Sequence, residues 1–150
     1  MSDLERSRVL LAAAGRDLRA LRGMSDTEVF GDEIAGFHAQ QAAEKMLKAW
    51  LLLLGESFPL THDLDYLIRR LEGREPDVGQ FEQLVEYNPY AVQFRYEFFD
   101  ADTVPLDREE AVRCLESLRQ EVARRLAVVR DQGDDGECAE SEDDRSGLAE

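Results

Sequence analysis

His38, Gln41, Lys45 and Lys48 fall at intervals of three, four and three in the stretch FHAQQAAEKMLK, residues 37–48. Laid on a helix at about 100° per residue, the four share a stripe roughly 80° wide. Ala35, Ala39, Ala42, Ala43, Met46 and Trp50 make an apolar face beside it. Two ammonium groups bind phosphate oxygens as point charges, and Gln41 adds amide donors and an acceptor. His38 can donate to a phosphate or stack on a base. The chemistry in view is the docking of a nucleotide or another anion. The structural alternative is that both lysines snorkel from a crowded helix while His38 bonds a backbone carbonyl. Lys45 and Lys48 are the only lysines, against sixteen arginines.

Three further residues join the candidates. His62 precedes Asp63 at an expected helix start, where exposed N–H groups welcome an anion. Thr61 and Asp63 compete for those donors as caps, and His62 can also reach across to the helix of His38. Arg95 stands between Phe94 and Tyr96. It can grip phosphate while the aromatic rings stack on a base. Equally, it can form a buried ion pair with Glu44 or another carboxylate that locks residues 90–96 to the rest. A diiron or zinc site needs Glu-x-x-His pairs or clustered histidines, and no Glu precedes either histidine by three. No metal and no cofactor are expected. The chain has no glycine-rich phosphate loop, no Gly-x-Ser-x-Gly and no obvious Cys–His pair, so no nucleophile is identified.

The elements that must hold these residues are helical. Leu4, Leu11, Ala14, Leu18 and Leu21 mark an amphipathic helix over 3–22, closed by Gly23, with arginines and Asp17 at its other positions. Ser25 and Glu28 have capping-box spacing, so a helix can start there, although Gly31 and Gly36 weaken its first turns. The second helix runs from about Asp32 to Leu54, with Gly55 as C-cap and Pro59 forbidding simple continuation. Its later half, MLKAWLLLLG, is apolar nearly all round, which predicts burial at the centre of a bundle or against a second subunit. Leu52 lies on the polar side of that wheel, which points to a contact across subunits. Thr61 caps a short third helix, and a fourth follows Pro76 and breaks at Asn88-Pro89. The last runs from about Asp107 to Arg130, on Ala111, Leu115, Leu118, Val122, Leu126 and Val129. The expected fold is all-α, an up-and-down bundle of about five helices over residues 1–130, with sequential helices as antiparallel neighbours.

Residues 131–150 are expected to be a disordered acidic tail. Nine acidic residues against one arginine give it −8 of the chain's net −15, and almost no large apolar side chain is present. Its bland role is to solubilise and repel; a sharper one is to shield a basic surface on the same protein. No run of about eighteen apolar residues spans a membrane. The N-terminus does not read as a secretory signal, which points to the cytoplasm. Cys114 and Cys138 read as two reduced thiols.

Three pieces of the chain resemble a known family. Phe37-His-Ala-Gln-Gln-Ala-Ala-Glu-Lys45, then Phe58-Pro59 with Thr61-His-Asp-Leu64, then Tyr90-Ala-Val-Gln-Phe-Arg-Tyr96 are similar to the core of bacterial and archaeal HEPN domains. The likeness covers about residues 3–130. It implies a helical bundle, usually a homodimer, often encoded beside a minimal nucleotidyltransferase. Some members of the wider superfamily are RNases acting as toxins in toxin–antitoxin pairs, with an arginine, four to six intervening residues and then a histidine, so that the arginine stands five to seven positions before it. Here Gly31, Asp32 and Glu33 precede His38, and Gly55, Glu56 and Ser57 precede His62, at those offsets. The departure favours the non-catalytic, ligand-binding branch. The alternative is a metal-independent RNase in which His38 or His62 is the general base and Arg95 steadies the developing charge, brought together by folding. A third reading is a structural partner whose Trp50, Leu51, Leu52 and Leu53 form a sticky interface.

Overall fold

The computed structural model of the chain describes residues 1–93 and 104–137. Among the described residues the regular structure is helical: α1 (Asp3–Gly23), α2 (Asp32–Leu53), α3 (Leu64–Glu72), a 3₁₀ segment (Pro76–Tyr87), α4 (Tyr90–Gln93) and α5 (Arg108–Glu137). The all-α bundle expected from the sequence is what forms.

Local chemistry explains several element ends. Ser2 accepts from the Glu5 backbone while the Glu5 side chain returns to the Ser2 backbone, so α1 opens on a reciprocal capping box. The Ser25–Glu28 pair expected to start a helix does not. Asp26 instead accepts from Glu28 and Val29 in a turn, and α2 starts only after Gly31. Gly55 has φ +72°, and Gly55 and Glu56 N–H groups donate to the carbonyls of Leu52 and Leu51 at 3.0 Å each, a pair of hydrogen bonds that closes α2 as its glycine predicted. α5 continues to Glu137, seven residues beyond the end expected near Arg130.

α2 lies at the centre. Ala35, Ala39, Ala42, Ala43, Met46, Leu47, Ala49, Trp50 and Leu51 are fully buried, against Leu18 and Leu21 of α1, Leu64, Leu67 and Leu71 of α3, and Leu115, Leu118 and Val122 of α5. Each such leucine contributes about 1.5–3 kcal/mol by leaving water. The run of alanines lets neighbouring helices approach the α2 backbone closely. Gly36 carries this furthest: a Cβ there would overlap the Tyr90 ring. Leu52 is only 4% exposed, so its place on the polar side of the wheel is met by burial within this one chain. The subunit contact argued from Leu52 is not needed.

Direction follows from specific pairs. Ser7 meets Ala49 and Asp17 meets His38, so α1 and α2 are antiparallel. Asp32 meets Arg108 and Trp50 meets Arg125, so α5 runs with α2 and against α1. The connection from Gly55 to Asp63 folds back along α2 and brings His62 beside Glu44. α3 then runs back toward the end of α2, where Arg70 and Arg74 meet Glu56. At this connection the helices do not simply alternate.

Candidate functional site

The polar stripe of α2 is present, and carboxylates hold it. Asp17 on α1 takes Lys45 Nζ at 2.5 Å on one oxygen and His38 Nδ1 at 3.0 Å on the other. The Asp17 side chain is 13% exposed, so this two-pronged contact sits at the edge of the α1–α2 packing. The His38 ring also meets Phe37 edge to face at 5.7 Å between centroids.

A second carboxylate organises the remaining candidates. Glu44, whose side chain is 7% exposed, takes Lys48 Nζ at 2.8 Å, His62 Nδ1 at 3.0 Å and Gln40 Nε2 at 3.0 Å. Gln41 donates to the same carboxylate at 3.3 Å and to the Gln40 side-chain Oε1 at 2.7 Å. Gln40 also donates to the His62 backbone carbonyl at 3.0 Å, which ties the returning loop to α2. Burial alone would raise the Glu44 carboxyl. Hydrogen bonds from Lys48, Gln40 and His62, with the Lys48 charge, outweigh it and hold the group below its ordinary value. Lys48 further lies 5.5 Å above the Phe58 ring centroid.

Five of the seven candidates therefore gather around two carboxylates: His38 and Lys45 on Asp17, and Gln41, Lys48 and His62 on Glu44. Lys48 does not carry its ammonium out to water; its side chain is 12% exposed. His38 does not bond a backbone carbonyl in the contact seen here; its Nδ1 faces a carboxylate. His62 is not inside a helix. Asp63 caps α3, accepting from Asp65 and Tyr66, and His62 precedes it, 71% exposed at the side chain. Thr61, expected as the cap, accepts from Asp63 instead. Asn88 completes this corner by accepting from Leu64 N–H and donating to Asp63. Arg95 and Tyr96 lie outside the described residues.

The sequence reading missed Asp17 as a site residue and saw Glu44 only as a partner for Arg95. The missed signal was an acidic residue among arginines on α1, which helical spacing alone could not match to α2. With both histidines neutral, two lysines and two carboxylates cancel; each imidazole adds a positive charge only when protonated. Both Nδ1 atoms face carboxylates, so neither of these contacts uses Nε2. Among the described residues no three His, Cys, Asp or Glu side chains cluster to hold a metal. No helix there is long and apolar enough to cross a membrane.

Two concavities lie elsewhere on the described surface. A groove of about 550 Å³ between α1 and α5 is rimmed by Arg8, Arg16, Arg19, Arg22 and Arg119. A smaller one, about 330 Å³, lies where Leu21 and Ser25 face Arg108 and Val112. Beneath it Arg108 is buried, donating to the carbonyls of Met24 and Phe30 and to Asp32 at 3.0 Å.

No curated protein and no solved structure matches this chain. A family model does: the HEPN domain model matches residues 7–125, which takes in most of α1, all of α2 with its carboxylate-held stripe, the His62 corner and more than half of α5. This chain belongs to the HEPN domain family.

Proposed function

We propose that this chain is a non-catalytic nucleotide- or anion-binding accessory module, acting as a homodimer beside a minimal nucleotidyltransferase in a toxin–antitoxin-like or substrate-binding role. The observation that carries the reading is the gathering of His38, Gln41, Lys45, Lys48 and His62 on one side of α2, each held by Asp17 or Glu44. Carboxylates that fix the cations and imidazoles in advance reduce the ordering cost of binding. A phosphate would share the two ammonium groups with their present partners and could meet the imidazoles at the Nε2 positions that Asp17 and Glu44 do not use.

Titration of the full chain with ATP, followed by calorimetry, tests the reading. Binding should weaken at least about tenfold in a Lys45→Ala/Lys48→Ala double variant that still melts cooperatively, a loss of roughly 1.4 kcal/mol. Unchanged affinity, or none in the parent, removes the site. A monomer that ignores a co-expressed nucleotidyltransferase removes the partner.

One observation favours a second reading. Both imidazoles are oriented through Nδ1 by a carboxylate, the arrangement that readies Nε2 as a general base in a metal-independent RNase. The missing arginine before either histidine argues against it. RNA left intact by micromolar protein would dispose of it.

A further inference from the structure

The α1–α5 groove carries a charge that the α2 site does not use. Arg8, Arg16, Arg19 and Arg22 recur along one face of α1, and Arg119 faces them from α5. Glu116 pairs with Arg22 at 2.9 Å and also with Arg119. Among the described residues Arg8, Arg16 and Arg19 form no ion pair. Gly15 sits among them with no atom within 4 Å of where its Cβ would be, which leaves the floor open. This is a trough of guanidinium groups on a protein of net charge −15.

We propose that this groove is a docking surface for an acidic peptide segment, and that its occupant is this chain's own C-terminal segment, residues 138–150. That segment holds Glu140, Glu142, Asp143, Asp144 and Glu150 against Arg145 alone. Its charge is opposite to that of the groove, and α5, which lines the groove through Arg119 and Leu126, leads directly into it. Leu126 to Glu137 is about 16 Å of helix, and Arg8 to Arg22 about 21 Å. Thirteen residues extend up to about 45 Å, enough to turn back past Leu126 and follow the whole trough. Because α1 and α5 are antiparallel, Glu142, Asp143 and Asp144 reach the level of Arg8 and Arg16 first. A short tether presents the segment at an effective concentration in the millimolar range, whereas an untethered polyanion must first approach a strongly negative molecule. Docking of this kind is salt-sensitive, because exposed charges are screened over about 10 Å at 0.1 M salt. The proposal stands independently of the α2 reading and shares no residue with it.

A nitroxide on Cys138 tests it in the full chain, because Cys114 is buried and can be replaced by Ala to leave one labelling position. Amide signals of residues 8–19 on the groove side of α1 should broaden at low salt. Roughly half or more of that broadening should vanish at about 0.5 M salt, where the screening length is only a few ångströms. It should also vanish in Arg8→Gln/Arg16→Gln/Arg19→Gln and in Glu140→Gln/Glu142→Gln/Asp143→Asn/Asp144→Asn. Unchanged melting temperatures would show that both variants fold. Broadening confined to the end of α5 at every salt concentration would overturn the proposal. So would broadening seen only between labelled and unlabelled molecules, which would place the segment on a second copy.

Discussion

Asp17 and Lys45 meet at 2.5 Å across the α1–α2 interface, and the second oxygen of the same carboxylate is 3.0 Å from His38. One acidic residue on α1 thus sets the position of two residues of the α2 stripe. Asp17→Asn keeps the shape and removes the charge. It should lower unfolding free energy by about 1–3 kcal/mol, the range for losing a hydrogen bond to a charged group in a partly buried setting. A urea midpoint with unchanged m-value measures this. Stability equal to the parent's would show that Asp17 does not hold the stripe.

Glu44 makes stability depend on pH in one direction. Its folded-state carboxyl is held below the ordinary 4.5. A depressed carboxylate contributes stability that is present above its unfolded value and lost as pH falls through the folded one. The loss therefore begins near pH 4.5 and grows below it. Stability of the parent and of Glu44→Gln, measured by denaturant from pH 7 to pH 3, should converge as the solution becomes more acidic. At neutral pH Glu44→Gln should be less stable, because Lys48 then keeps its charge without an anionic partner. Parallel curves over the whole range would contradict this account.

Gly36 and Gly15 provide opposite outcomes from the same substitution. A Cβ at Gly36 overlaps the buried Tyr90 ring, whereas one at Gly15 meets nothing within 4 Å. Gly15→Ala should stabilise by about 0.5–1 kcal/mol through helix propensity alone. Gly36→Ala gains the same term, but overpacking costs about 1–3 kcal/mol and should leave it destabilised. Thermal melts of the two variants side by side read the difference in sign.

Arg108 closes the end of the bundle near the start of α2. Its guanidinium gathers the carbonyls of Met24 and Phe30 with the Asp32 carboxylate, while Asp32 also accepts from the Leu106 N–H. Arg108→Met leaves these acceptors without their donor and should cost about 3–5 kcal/mol, as for one partner of a buried ion pair. Arg108→Lys should recover only part of this, because an ammonium cannot fork to several acceptors as a planar guanidinium does. Urea unfolding of both variants orders them.

The sequence by itself determined α1, α2 and α5 and that α2 is the central one. Leucine and alanine spacing marked α1 and α5, near-continuous apolarity marked α2 as buried, and Gly55 marked its end, because helical period and backbone freedom are local properties. It also placed His38, Gln41, Lys45 and Lys48 on one stripe, since that follows from spacing along one helix. Tertiary structure alone decided what the stripe faces. Asp17 comes from 21 and 28 residues before its partners, and His62 returns from 18 residues beyond Glu44. No period records such contacts, because they depend on the register of one helix against another and on the path of a loop. The same holds for Leu52, polar-sided on a wheel yet buried by its neighbours, and for the arginine trough, which needs α5 beside α1 to become concave. A helix knows its own faces; packing chooses the charge that meets each face.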